Sequence, residues 1–212
     1  MFKIILVVCR LHTVSIIVKG NKSDRGESTR EALLAAARTL FGEVGFAATS
    51  LDDIVAAAGV TKGALYYHFS DKEDLFRAVA ESVKREVNAR LSNLFLDSEP
   101  FEALEKGCIE ILEAYLDPAI RQIVWTDARS VLSLDAYRDI QNRYEQVFLR
   151  AALRRAMREG IIETLPLRPL TALLTGAIGE GCTYIAASPN PATDREEVGT
   201  TIVQILDGLR KG

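Results

Sequence analysis

The sequence predicts an all-α protein of about nine helices. Three observations carry this reading. Beyond residue 25, apolar side chains recur at spacings of three and four, while alternating strand patterns are few. The short stretches between apolar runs hold helix-opening and helix-closing residues: serine, threonine or aspartate before a run, glycine after it, proline at a first helical position. Residues 50–76, SLDDIVAAAGVTKGALYYHFSDKEDLF, read as two short helices across a tight turn and the start of a longer third.

Residues 1–25 carry two apolar patches, 4–9 and 14–18, interrupted by Arg10 and His12. Neither can span a bilayer, the first is short for a signal-peptide core, and no small-residue cleavage site follows. The segment reads as a non-native or poorly ordered extension, with a true start near residue 18, or as a short element packed on the domain. No function is assigned to it.

Residues 26–45 form the first helix, with Leu33, Leu34, Ala37, Leu40 and Phe41 on one face and Gly45 as its left-handed cap. Ser50, or Thr49 before it, caps the next helix, and Asp52 and Asp53 sit where the helix dipole favours anions. Gly59 supplies the sharp turn, and Thr61 caps a helix whose inward residues are Ala64, Leu65 and Phe69. Ser70 with Glu73 makes a capping box for a long helix over 72–96. Its apolar stripe, Leu75, Val79, Val83, Val87, Leu91 and Phe95, drifts slowly round the axis, so its two ends face different neighbours.

The remainder continues in helices. Pro100 opens one carrying Leu104, Cys108, Ile111, Leu112 and Tyr115. Asp117-Pro118 opens another with Ile120, Ile123, Val124 and Trp125. Ser133 caps a long helix to Gly160, 161–167 is a loop, and two last helices, about 168–187 and 192–210, flank SPNP. The domain division is therefore 26–71 for a helix-turn-helix unit and 72–212 for a larger helical unit.

Composition excludes several classes. A net charge of −3 rules out nucleic-acid binding through bulk positive charge, so any DNA surface must be local. Cys9, Cys108 and Cys182 are odd in number and lack metal-ligand spacing, which reads as reduced thiols in a cytoplasmic protein. With only His12 and His68 there is no multi-histidine metal site. Gly176, Gly179 and Gly181 run in the reverse order of the dinucleotide fingerprint and follow no strand, so they read as small residues allowing close helix approach, across a dimer interface. No nucleophile–base motif supports an enzyme. No cofactor, metal or membrane partner is expected.

Two helices across a short glycine turn form a helix-turn-helix, whose second helix enters the DNA major groove. With Leu65 and Phe69 buried, Lys62, Gly63, Tyr66, Tyr67 and His68 remain towards the exposed side. Lysine reaches phosphates or guanine edges, glycine lets backbone approach DNA, and phenols and imidazole suit phosphate oxygens and thymine methyls. The stretch from Thr49, Ser50, Ile54, Ala58, Gly59 and Val60 through Lys62, Gly63, Leu65, Tyr66, Tyr67, His68 and Phe69 to Lys72, Leu75 and Phe76 resembles the DNA-binding domain of the TetR (tetracycline-repressor-like) family. The run TREALLAAARTLFGEVGFAATS, 29–50, extends the resemblance, which covers residues 29–81; Val55 departs from it where many members carry alanine.

The resemblance implies a homodimeric bacterial transcriptional regulator, most simply a repressor that a small-molecule effector releases from double-stranded operator DNA. It makes residues 72–212 the ligand-binding and dimerisation unit. The rival is a constitutive DNA-binding or protein-interaction factor with a filled core. The DNA-binding candidates are Thr49, Ser50, Thr61, Lys62, Gly63, Tyr66, Tyr67, His68 and Lys72. Cys108, Tyr115, Trp125, Asp127, Tyr144 and Phe148 are candidates for an apolar effector cavity. Asp127 would orient a cationic or hydroxylated ligand, or else pair with Arg129 or another arginine. Leu170, Leu174, Ile178, Ile202 and Leu206 are the candidate dimer interface.

Overall fold

The structure, a computed structural model, describes residues 22–140, 143–144 and 147–211, with side chains described except at 22–25 and 92–97. The sequence reading of residues 1–21, Cys9 and His12 among them, lies outside the described residues, as does the side chain of Phe95. The helix expected from residue 26 already runs from Lys22.

The described chain is helical throughout, in the order α1 (Lys22–Ala48), α2 (Leu51–Ala58), α3 (Lys62–His68), α4 (Lys72–Asp97), α5 (Pro100–Leu116), α6 (Pro118–Arg121), a π turn (Gln122–Asp127), α7 (Ala128–Val131), α8 (Leu134–Ile140), α9 (Val147–Arg158), α10 (Leu167–Ala186) and α11 (Pro191–Asp207). Two expected helices are divided. The segment after Asp117 becomes α6, the π turn and α7; the segment after Ser133 becomes α8 and α9, with a second π stretch at 143–144 between them.

Local chemistry sets the ends. Gly45, at φ 80 and ψ 167, breaks α1 and leaves a short final turn that feeds α2. Ser50 closes a complete capping box with Asp53, and Gly59 ends α2 in the left-handed conformation. Thr61 accepts the N–H of Ala64 at the start of α3. The cap of α4 differs from expectation: Asp71 accepts the Asp74 N–H at 2.8 Å, and Asp74 accepts the Ser70 N–H at 3.1 Å. The anionic oxygens of Asp71 and Asp74 take the places assigned to Ser70 and Glu73, as charge-assisted bonds to orphan N–H groups are the stronger choice.

The core is continuous. Leu33, Ala37 and Phe41 of α1 meet Ile54, Leu65, Phe69 and the first turns of α4. Phe41, Phe46 and Phe76 form an aromatic cluster with centroids 5.2–5.7 Å apart. Farther along, α4 buries Val83, Val87 and Leu91 towards α5, whose Leu104, Cys108, Ile111, Leu112 and Tyr115 stand at the centre of the C-terminal part. Against α5 lie α9, through Phe148 to Ala156, and α10, through Leu174, Ile178, Cys182 and Ile185. The 161–167 loop gains unexpected order. The Glu163 N–H donates to the Leu209 carbonyl at 2.9 Å and the Lys211 N–H to that of Ile161 at 3.1 Å, so the end of the chain closes the bundle.

Candidate DNA-reading helix and effector core

α3 is capped at one end by Thr61 and anchored at the other by Leu65 and Phe69, so its opposite face is free to be presented. On that face Tyr66 is 52% and Tyr67 83% exposed, and Lys62 and Gly63 are exposed beside them. Exposed phenols at this density are the observation that asks for a partner, since most surface helices carry charges there. Lys62 rests 2.7 Å from Asp52 at the start of α2. The hydrogen bond to Asp52, and then its charge, push the lysine above its ordinary pKa. Asp53 is held below the usual carboxylate range by its bonds to the Ser50 hydroxyl and N–H.

Other members of the expected DNA set have different work. Thr49 is buried and donates its hydroxyl to the Gly45 carbonyl at 2.8 Å; it shapes the turn into α2 and cannot meet DNA. Lys72 lies half-buried with its ammonium 4.2 Å over the Phe46 ring, a cation–π contact in the aromatic cluster. His68 is half-buried, edge-on to Tyr67, with its ring beside Gly26 of α1. Ser50 and Thr61 are exposed but serve as caps.

In the C-terminal part, the expected effector residues do not share one cavity among the described residues. Cys108 is buried in apolar packing, and the Phe148 ring fills the space where a side chain at Gly107 would stand. Trp125 lies flat against Gly179 of α10, donates to the Thr183 hydroxyl at 2.8 Å and carries the Arg129 guanidinium 3.6 Å from its ring centre. Only Tyr115 of the expected set lines the internal cavity, which is bounded by Lys84, Val87, Asn88 and Leu91 of α4, Ile111 of α5, and Thr175 and Ile178 of α10. That cavity measures about 10 Å³, room for one water. Lys84 is only 4% exposed and donates to the Tyr115 hydroxyl, and Asn88 donates to the carbonyl of Tyr144. Sequence reasoning missed both residues. The available signal was a lysine and an asparagine four apart, each directly after a stripe residue, Val83 and Val87.

Asp127 is the clearest correction. It does not face the cavity: its carboxylate accepts the Phe46 N–H at 2.8 Å and the Gln122 amide at 3.1 Å, so it ties the π turn to the end of α1.

Comparison with known proteins decides the family. The model described as bacterial regulatory proteins, tetR family, matches residues 33–79. That of the tetracyclin repressor-like C-terminal domain matches residues 101–209, more than half the chain. The chain belongs to the TetR family. Among curated relatives it is 34% identical over 112 residues to the HTH-type transcriptional repressor BepR of Brucella suis, the match covering 51% of this chain and 53% of BepR. It is 27% identical over 176 residues to the repressor AcnR of Corynebacterium glutamicum, covering 76% of this chain and 90% of AcnR. The chain thus spans about half the length of BepR and nearly all of AcnR. A TetR-family regulator from Pectobacterium atrosepticum shares its fold with a TM-score of 0.73 at 31% identity, covering 91% of this chain and 98% of that one. TetR-family proteins are DNA-binding transcriptional regulators, and their membership excludes the enzyme reading.

Within this TetR-family fold, the expected dimer residues are core. Leu174, Ile178, Ile202 and Leu206 are buried inside the one chain, Leu206 completely, and Leu170 is half-buried against the same core. The helical period correctly marked an apolar face, but α5 and the other helices of the chain already cover it. The glycines follow suit. Gly179 accommodates Trp125 and Gly181 accommodates Val198 of α11, both within the chain, whereas Gly176 faces open space. The large exposed apolar residues of α10 are Leu173 and Tyr184, and of α11 Ile205. No described helix is long and apolar enough to cross a membrane.

Proposed function

We propose that this TetR-family protein is a cytoplasmic homodimeric repressor whose α3 reads operator DNA and whose C-terminal part, residues 72–212, binds a small-molecule effector. The face of α3 bearing Lys62, Gly63, Tyr66 and Tyr67 carries the reading, because it exposes polar-tipped aromatics and a cation on a helix that is capped and anchored for presentation. Lys62 takes a phosphate or guanine edge, the tyrosine hydroxyls take phosphates, and Gly63 allows the backbone to come close.

The effector enters between α4, α5 and α10, where Lys84, Asn88, Tyr115 and Thr175 put polar groups among Val87, Leu91, Ile111 and Ile178. This lining suits a compact, largely apolar molecule with an acceptor oxygen for the lysine and phenol. A space of about 10 Å³ admits such a molecule only if α4 moves away from α5 and α10. A ligand that needs the moved arrangement favours it, and by linkage operator DNA weakens that ligand by the same factor. The dimer forms through the outward face of α10, with Leu173, Gly176, Ala177, Glu180 and Tyr184 at helical spacing, together with Ile205 of α11.

The test starts by selecting duplexes from a random-sequence pool with the wild-type protein. On the selected duplex, Lys62→Ala and Tyr67→Phe should each weaken binding; loss of the lysine's phosphate contact should also flatten the salt dependence by about 0.9 in log–log slope, whereas loss of a neutral phenol should leave the slope unchanged. Wild-type affinity and slope in all of Lys62→Ala, Tyr66→Phe and Tyr67→Phe would remove α3 from the DNA interface.

A further inference from the structure

We propose that Asp127 is a positioning residue for DNA reading: a carboxylate from the C-terminal part that holds the turn leading into the helix-turn-helix. The proposal rests on α3 being the DNA-reading helix. At Gly45 the backbone turns to φ 80 and ψ 167, conformations open essentially to glycine, and the break takes the following N–H groups off the carbonyl ladder of α1. Phe46 therefore needs an acceptor from elsewhere. Asp127, 81 residues later, supplies it with one oxygen at 2.8 Å, and Gln122 fixes the other oxygen at 3.1 Å. Asp127 thus acts as a helix N-cap delivered across the molecule, ahead of the last turn of α1.

That last turn has no slack. The Thr49 hydroxyl is bound back to Gly45, and Ser50, the next residue, is the cap of α2. The Phe46 ring is seated against Phe41 and Phe76 and under Lys72. α2 packs directly onto α3, so the direction in which α3 points is set where Phe46 is held. Nearby, α1 comes so close to α6 that a methyl at Gly42 would lie 2.7 Å from the Ala119 side chain. The latch is also fixed from behind. Trp125, two residues before Asp127, is pinned between Gly179 and the Thr183 hydroxyl of α10. In a dimer formed through α10, the chain Thr183–Trp125–Asp127–Phe46 refers each reading head to the dimer axis by a route that does not pass along α4.

A residue that aims the reading heads controls more than stability. A merely destabilising variant lowers the active fraction, and so weakens every duplex by the same factor. A variant that lets the heads swing should weaken the selected duplex yet tolerate altered half-site spacing. The experiment compares binding to the selected two-half-site duplex with binding to one carrying an extra central base pair. The proteins are wild type, Asp127→Asn, Asp127→Ala and Lys62→Ala. Asp127→Asn keeps an acceptor for Phe46, and its NH2 donates to Gln122 once that side-chain amide turns its oxygen inward. Wild type and Asp127→Asn should prefer the selected spacing by the same ratio, about tenfold or more. Asp127→Ala should lose about tenfold on the selected duplex, the scale of a partly buried donor left unsatisfied, and much of the spacing preference with it. An unchanged ratio in Asp127→Ala overturns the proposal, as does a wild type indifferent to spacing. Undiminished binding by Lys62→Ala would instead strike at the assignment of α3, whatever Asp127→Ala does.

Discussion

At the scale of single residues, the lysine proposed to meet DNA has a competitor. Lys62 and Asp52 are 2.7 Å apart, but both side chains are more than half exposed, and an exposed pair is worth roughly 0–1 kcal/mol. DNA can therefore capture Lys62 at little cost, while Asp52 stays near the phosphates as a repulsive charge. Asp52→Asn should tighten binding to the selected duplex, by up to about fivefold, measured by anisotropy at fixed salt; weaker binding would show that Asp52 aims the lysine instead of diverting it. The cysteines give a second expectation. Burial pushes the thiols of Cys108 and Cys182 up to about 12, far from the thiolate needed for reaction. Peptide mapping after iodoacetamide treatment at pH 8 should find both unmodified in the native protein and modified after denaturation.

At the scale of elements, Gly179 is where α10 meets the π turn. A Cβ there would stand 1.9 Å from the Trp125 ring, so Gly179→Ala must push the indole out or part the helices. Overpacking of this kind costs about 1–3 kcal/mol, and thermal unfolding followed by circular dichroism should show the midpoint fall; an unchanged midpoint would mean the π turn yields freely. Much of the element level was legible in the sequence. The caps at Ser50, Thr61 and Asp117, the turn at Gly59 and the stripe from Leu75 to Leu91 are local signals, written within a few residues of where they act. What escaped was non-local. The bond from Phe46 to Asp127 joins positions 81 apart, and nothing near either residue announces the other. The π turn escaped because a helical period marks which residues are apolar, not where an extra residue enters the ladder. Likewise the period of α10 identified Leu174 and Ile178 as buried but could not say whether α5 or a second subunit buries them.

At the scale of the whole molecule, the question is what the outward face of α10 and α11 does. Leu173 is 72%, Tyr184 59% and Ile205 47% exposed, while the apolar residues one step round each helix are fully occupied inside the chain. The two sets make opposite demands on a charged substitution. Ile178→Glu places a carboxylate in the core beside Tyr115 and Val87, so it should prevent folding and say nothing about assembly. Leu173→Glu, alone or with Ile205→Glu, adds charge on an already exposed surface and should leave the helical spectrum and unfolding midpoint nearly intact. If that surface is the two-fold contact, a pair of like charges meets its own image across the axis, and the protein should sediment as a monomer. DNA binding should fall with it. Two α3 helices held about 34 Å apart engage adjacent major grooves together, whereas a monomer has only one half-site. Losing the second site removes the effective-concentration gain of a linked pair, about 10²–10⁴ in affinity. Sedimentation of wild type and Leu173→Glu at micromolar concentration, read beside their affinity for the selected duplex, separates the outcomes. A dimeric Leu173→Glu protein with wild-type affinity would move the interface elsewhere. A monomeric one with wild-type affinity would show that a single α3 suffices to read the site.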